Sequence, residues 1–114
     1  MVVNVNVKNH RSSLRDLIYD KIDSEREYQE ALWGPTETQG KHSITEFIAF
    51  IEDYLGEAKH ILVRKRKVVA YPETLEIMRK VAALTVACME QNGSPSYRTV
   101  PNGDRLEERS VKGK

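Results

Sequence analysis

The chain has 114 residues, 39% hydrophobic and 31% charged, with 18 lysines and arginines against 17 aspartates and glutamates. A net charge of +1 excludes bulk attraction to nucleic acid or to an anionic membrane surface, and no apolar run approaches the roughly 18 residues of a membrane span. The length is that of one domain, residues 1–114, and a single cysteine, Cys88, excludes an internal disulfide and suits an intracellular protein.

The first segment, MVVNVNVKNHRSS, lacks the apolar core of a signal peptide. Val3, Val5 and Val7 alternate with Asn4, Asn6 and Lys8, the period of a strand with one apolar face. A helix is expected from Ser13 to Trp33, capped by Ser12 or Ser13, with Asp16 in its first turn and Gly34-Pro35 ending it. Its apolar stripe is Leu14, Leu17, Ile18, Ile22, Tyr28 and Leu32, and Glu25 stands on that stripe. A carboxylate on the packed side of a helix is costly unless it is paired, metal-bound or hydrogen-bonded, so Glu25 suggests a site.

Thr36 to His42 read as a polar loop. Ser43 caps a second helix with Glu46 in capping-box position. Its stripe is Ile44, Phe47, Ile48, Ile51, Tyr54, Leu55, Ala58, Ile61 and Leu62, closed by the basic run Arg64 to Lys67. Val68 to Tyr71 read as a connection, and Pro72 as the first turn of a third helix ending at Asn92-Gly93. From Val81 to Met89 that helix is apolar nearly all round, so it is either central or covered by another subunit. Tyr97 to Val100 and Leu106 to Val111 flank a Pro101-Asn102-Gly103-Asp104 turn, a hairpin signal. The expected fold is α+β: three helices with a small antiparallel sheet formed by the N- and C-terminal segments.

Two groups of residues carry candidate chemistry. The first is acidic: Glu25 on the first helix, with Glu52, Asp53 and Glu57 on the second. Carboxylates converging from two helices can hold magnesium, or they are ordinary helix charge paired to Lys21, Arg26 or Lys59. The second follows the third helix: Asn92, Tyr97, Arg98, Asp104, Arg105 and Arg109. Arginine forks bind phosphate at two points and a tyrosine stacks on a base; an exposed hairpin with its arginines paired to Glu107 and Glu108 is the plainer alternative. His10, His42 and His60 have no metal-ligand spacing, and Cys88 sits in an apolar run as a structural thiol.

The segments DSEREYQEALWG (23–34) and FIEDYLGE (50–57) resemble the opening of phage MazG-like proteins. That resemblance implies an all-α, magnesium-dependent nucleotide pyrophosphohydrolase built on Glu-Glu-x-x-Glu and Glu-x-x-Asp motifs. The chain departs from both motifs: Glu52-Asp53 is followed by Glu57 at a different gap, and Arg79 stands three residues after Glu76 where an acid is needed.

Over nearly the full length, the order of an N-terminal strand, LRDLIYDKID (14–23), an acidic second helix, MRKVAALTVACMEQNG (78–93) and a C-terminal hairpin resembles the first-described Thoeris anti-defence family of phages. That resemblance implies a small oligomeric protein, acting in the cytoplasm of an infected bacterial cell, that sequesters a cyclic ADP-ribose signal without degrading it. It further implies a ligand held between subunits by Asn92, Tyr97, Arg98, Asp104, Arg105 and Arg109, with Arg26 contributed by a neighbour. No catalytic residue, metal or cofactor belongs to this reading; the partners are a cyclic nucleotide and further copies of the chain, with no membrane and no nucleic acid polymer. Glu25 is then a structural carboxylate paired to an arginine near a subunit junction.

Overall fold

The computed structural model describes residues 12–34, 41–99 and 101. Among the described residues there are three helices: α1 (Ser13–Trp33), α2 (Ile44–Arg64) and α3 (Lys67–Asn92).

Each boundary has a local cause. The Ser12 hydroxyl accepts from the Arg15 N–H at 3.0 Å, and Gly34, at φ 97°, donates back to the Glu30 carbonyl at 2.8 Å. Only glycine takes that left-handed φ without strain, so α1 stops there. At α2 both halves of the capping box form: Ser43 Oγ accepts from the Glu46 N–H at 3.1 Å, and Glu46 Oε1 accepts from the Ser43 N–H at 2.8 Å. Gly93, at φ 113°, ends α3.

α3 begins five residues before Pro72, so the segment expected to be a connection, Val68 to Tyr71, is helical and the proline is the sixth helical residue. Only the first four N–H groups of a helix lack an internal acceptor, so Pro72 forfeits its bond to the Val68 carbonyl. The early turns are held instead by Ala70, which is fully buried, and by an ion pair from Lys65 to Glu73.

α3 is the central helix. It packs against both α1 and α2, which touch each other only marginally. The core joins Phe47 of α2 to Leu84 and Ala87 of α3, with Trp33, Phe50, Ile51, Tyr54 and Cys88 packed around them. The alanines at 83 and 87 leave room for neighbouring helices to approach, while the burial of Phe47 and Leu84 supplies about 2–3 kcal/mol each.

Two further expectations are overturned. The fold is all-α among the described residues, not α+β: residues 93–99 are irregular and form no strand. Pro95 offers no N–H for a ladder, and Tyr97 is 86% exposed, so neither hydrogen bonding nor burial holds that stretch against a partner. The other proposed sheet segments, Val2 to Val7 and Leu106 to Val111, and most of the turn between the hairpin arms, lie outside the described residues. The second concerns α1. Its apolar stripe faces solvent, with Leu14, Tyr28 and Leu32 at 60–66% exposure, while Glu25, Arg26 and Gln29 face α3 at 5–8%.

Candidate functional site

The inward polar face of α1 is ordered by α3. Glu25 accepts from Arg79 Nε at 2.9 Å, and Arg26 Nε donates to Glu90 Oε1 at 2.8 Å. The two chain neighbours on α1 thus meet two opposite charges on α3. Gln29, one turn from Glu25, donates to the Lys80 carbonyl at 3.3 Å. Arg26 Nη1 and Gln29 Oε1 are buried with no hydrogen-bond partner among the described residues. Such groups carry a desolvation cost of about 1–3 kcal/mol each.

Next to this face, the end of α3 closes on the segment leading into α2. Gln91 Oε1 accepts from the His42 N–H at 2.7 Å, while Asn92 Nδ2 donates to the His42 carbonyl at 3.2 Å and to the Cys88 carbonyl at 3.1 Å. The imidazole of His42 stands edge-on to Trp33, Phe47 and Phe50, with ring centroids 5.2–5.7 Å apart. Such edge-to-face contacts place a ring's positive edge on a neighbour's negative face. His42 Nδ1 also lies 3.5 Å from Glu46, whose carboxyl is held below its ordinary value, first by the Ser43 backbone N–H and then by His42. The α1 C-terminus, the α2 N-terminus and the α3 C-terminus therefore meet around one histidine.

The sequence-predicted residues are distributed unevenly over this end. Arg26 and Asn92 both belong to it, Arg26 through Glu90, which lies two residues before Asn92. Asn92 is spent on tying His42 to α3. Tyr97 and Arg98 follow in the exposed irregular stretch, with no contact that joins them to Arg26. Asp104, Arg105 and Arg109 lie outside the described residues. The acidic cluster is not assembled: Glu25 is engaged by Arg79, Glu52, Asp53 and Glu57 are exposed on α2, and among the described residues no three acidic, histidine or cysteine side chains are grouped to hold a metal.

Sequence reasoning missed the role of His42, which carries no motif, and the inward position of Gln29. The one available signal was spacing, because Glu25, Arg26 and Gln29 lie within one turn. Two shallow depressions, one at the end of α1 lined by Glu27, Glu30, Ala31 and Gly34 and the other between α1 and α3 lined by Tyr19, Asp20, Ile22, Asp23 and Val86, are open to solvent. Their ionisable groups are acidic or phenolic, so neither suits a phosphate. No helix among the described residues is long and apolar enough to cross a membrane.

Comparison with protein-family models, with curated proteins and with solved structures gave no match.

Proposed function

We propose that the protein binds a cyclic nucleotide signal of the cyclic ADP-ribose class and sequesters it without chemical change, as an oligomer inside an infected bacterial cell. The observation that carries this reading is Arg26: a buried guanidinium with one nitrogen paired to Glu90 and another unpartnered, beside the α3 C-terminus from which Asn92, Tyr97 and Arg98 extend. An arginine already oriented by one carboxylate offers its remaining donors to phosphate at little entropic cost. Tyr97 supplies a face for the base, and Arg98, with Arg105, Asp104 and Arg109 further along the chain, supplies charge and hydrogen bonds. Sequestration needs slow release rather than chemistry, and burial between subunits provides it.

A magnesium-dependent nucleotide pyrophosphohydrolase is the second reading, and the all-helical frame favours it, because that resemblance implied an all-α fold. Against it, Glu25 is committed to Arg79 and the acids of α2 stand apart from it. One experiment separates the two. The protein is incubated with cyclic ADP-ribose isomers or nucleoside triphosphates, freed of unbound ligand, heated, and the released nucleotide analysed. Intact cyclic nucleotide, lost on Arg26→Ala, supports sequestration; a nucleoside monophosphate and pyrophosphate support hydrolysis; no retained or altered nucleotide overturns both.

A further inference from the structure

On α1, Leu14, Ile18, Lys21, Glu25, Tyr28 and Leu32 succeed one another at steps of four, three, four, three and four. That average of 3.5 residues is the period of a coiled-coil seam, with a and d positions in alternation. The apolar members are in solvent: Leu14, Ile18, Tyr28 and Leu32 are each about half exposed or more. Lys21 is exposed as well, whereas Glu25 lies at the inner edge of the seam, held by Arg79. Leu17 and Ser24 border the seam on its open side; Ile22 and Gln29 border it on the side turned to α3.

We infer that α1 is a homodimerisation element, and that its occupant is α1 of a second copy of this chain, running antiparallel. The seam is palindromic in chemistry about its own midpoint. Reversed and laid on itself, it sets Leu14 against the partner's Leu32, Ile18 against the partner's Tyr28, and Lys21 against the partner's Glu25. Reversal makes every d position face an a position, as an antiparallel seam requires, and all of these pairs comply. The parallel alternative stacks Lys21 on Lys21 and Glu25 on Glu25 in the middle of an apolar seam, so charge selects the antiparallel form. A different partner protein would give no reason for the two halves of the seam to mirror each other. A twofold dimer gives one, because the same patch serves both subunits. The carboxylate of Glu25 then lies between Arg79 of its own chain and the partner's Lys21, whose methylene stem lies over the apolar neighbours while its charge reaches the acid. This inference stands on α1 alone and does not depend on which ligand the protein binds.

Two measurements on the full chain test it. Sedimentation equilibrium should give a dimer for the unaltered protein. Lys21→Glu, at an exposed position that leaves the fold intact by circular dichroism, converts two attractive contacts into two repulsive ones and should raise the dimer dissociation constant about tenfold or more. In a Cys88→Ser background, Leu14→Cys and Leu32→Cys proteins are then made separately, mixed and oxidised. The antiparallel seam predicts a disulfide from position 14 of one subunit to position 32 of the other in the mixture, and little dimer from either protein alone. A monomeric native protein, a Lys21→Glu dimer of undiminished strength, or disulfides joining like positions would each overturn the inference.

Discussion

Replacing Arg79 by alanine should cost far more than its exposure suggests. Arg79 keeps 40% of its side chain in solvent, while the Glu25 side chain it holds keeps 9%. Truncating the arginine leaves a buried carboxylate without its partner. Breaking a fully buried pair costs about 3–5 kcal/mol, and because water enters where Arg79 stood, the expected cost here is about 2–3 kcal/mol. That lowers the melting temperature by roughly 10 °C in a domain of this size. Glu25→Gln is the asymmetric control. It keeps an oxygen to accept from Arg79 Nε, and the arginine left behind can turn to water, so about 1 kcal/mol is expected. Replacing both partners with apolar groups, Glu25→Leu with Arg79→Met, should recover most of the loss, since no charge is left stranded. Urea unfolding followed by far-ultraviolet circular dichroism measures all three, with unchanged slopes showing that stability alone has moved. The argument fails if Arg79→Ala lies within about 0.5 kcal/mol of the native chain, or if Glu25→Gln is the more damaging change.

Three further outcomes are expected. The Glu46 carboxyl is held below its ordinary value of 4.5, so its contribution to stability is present above that value and is lost as pH falls through the lowered folded value. Thermal unfolding of Glu46→Gln in acid should therefore show a shallower loss than the native chain; an unchanged acid limb would refute the assignment. Pro72→Ala should stabilise the protein by about 1–2 kcal/mol in urea, because it restores the bond to the Val68 carbonyl, less the unfolded-state entropy that proline removes. A loss of stability would mean that the ring has a packing role. In the Lys21→Glu protein diluted to monomer, hydrogen exchange should find the α1 amides opening at lower free energy than those of α2 and α3 around Phe47 and Leu84, since within one chain α1 buries mainly polar groups; equal protection in all three helices would refute this.

The helix ends were legible where a local device sets them. Ser12, Gly34, the Ser43 and Glu46 pair, and Gly93 each act within one turn, so neighbouring residues suffice to place them. The start of α3 was not, because the preference of proline for a first turn is outweighed by the burial of Ala70 and the pairing of Lys65 with Glu73, both tertiary effects. The inward stripe of α2 follows its periodicity in part: Phe47 and Ala58 are buried, while Ile44, Ile48 and Leu55 of the same expected stripe are exposed. That of α1 does not, because the face a helix buries is decided by what it docks on, and α3 presents Arg79 and Glu90. Of the candidate site, the sequence indicated Arg26 and Asn92 but not that a histidine without any motif would join the ends of all three helices. His42 is held through its backbone and through ring edges, and neither leaves a pattern in the residues around it.

The rotation of α1 follows from two demands that one helix face cannot meet. Turning the helix to bury its apolar stripe on α3 would gain about 1–1.5 kcal/mol for each of Leu14, Ile18, Tyr28 and Leu32, which are already a third to a half buried. The same turn would break the Glu25–Arg79 and Arg26–Glu90 pairs, and a hydrogen bond between charged groups contributes about 1.5–3 kcal/mol. The two totals are of similar size, so hydrophobicity alone does not decide the matter within a single chain. The charge pairs are directional and set one angle about the helix axis, while the apolar stripe accepts any dry surface. A second copy is such a surface, and against it both demands are met at once: the charges by α3 of the same chain, the leucines, isoleucine and tyrosine by α1 of the other. A carboxylate that interrupts an apolar stripe then has a reason to stand at that point. In the proposed dimer, Glu25 fixes the angle of its own helix through Arg79, and through the partner's Lys21 it fixes the direction of the next.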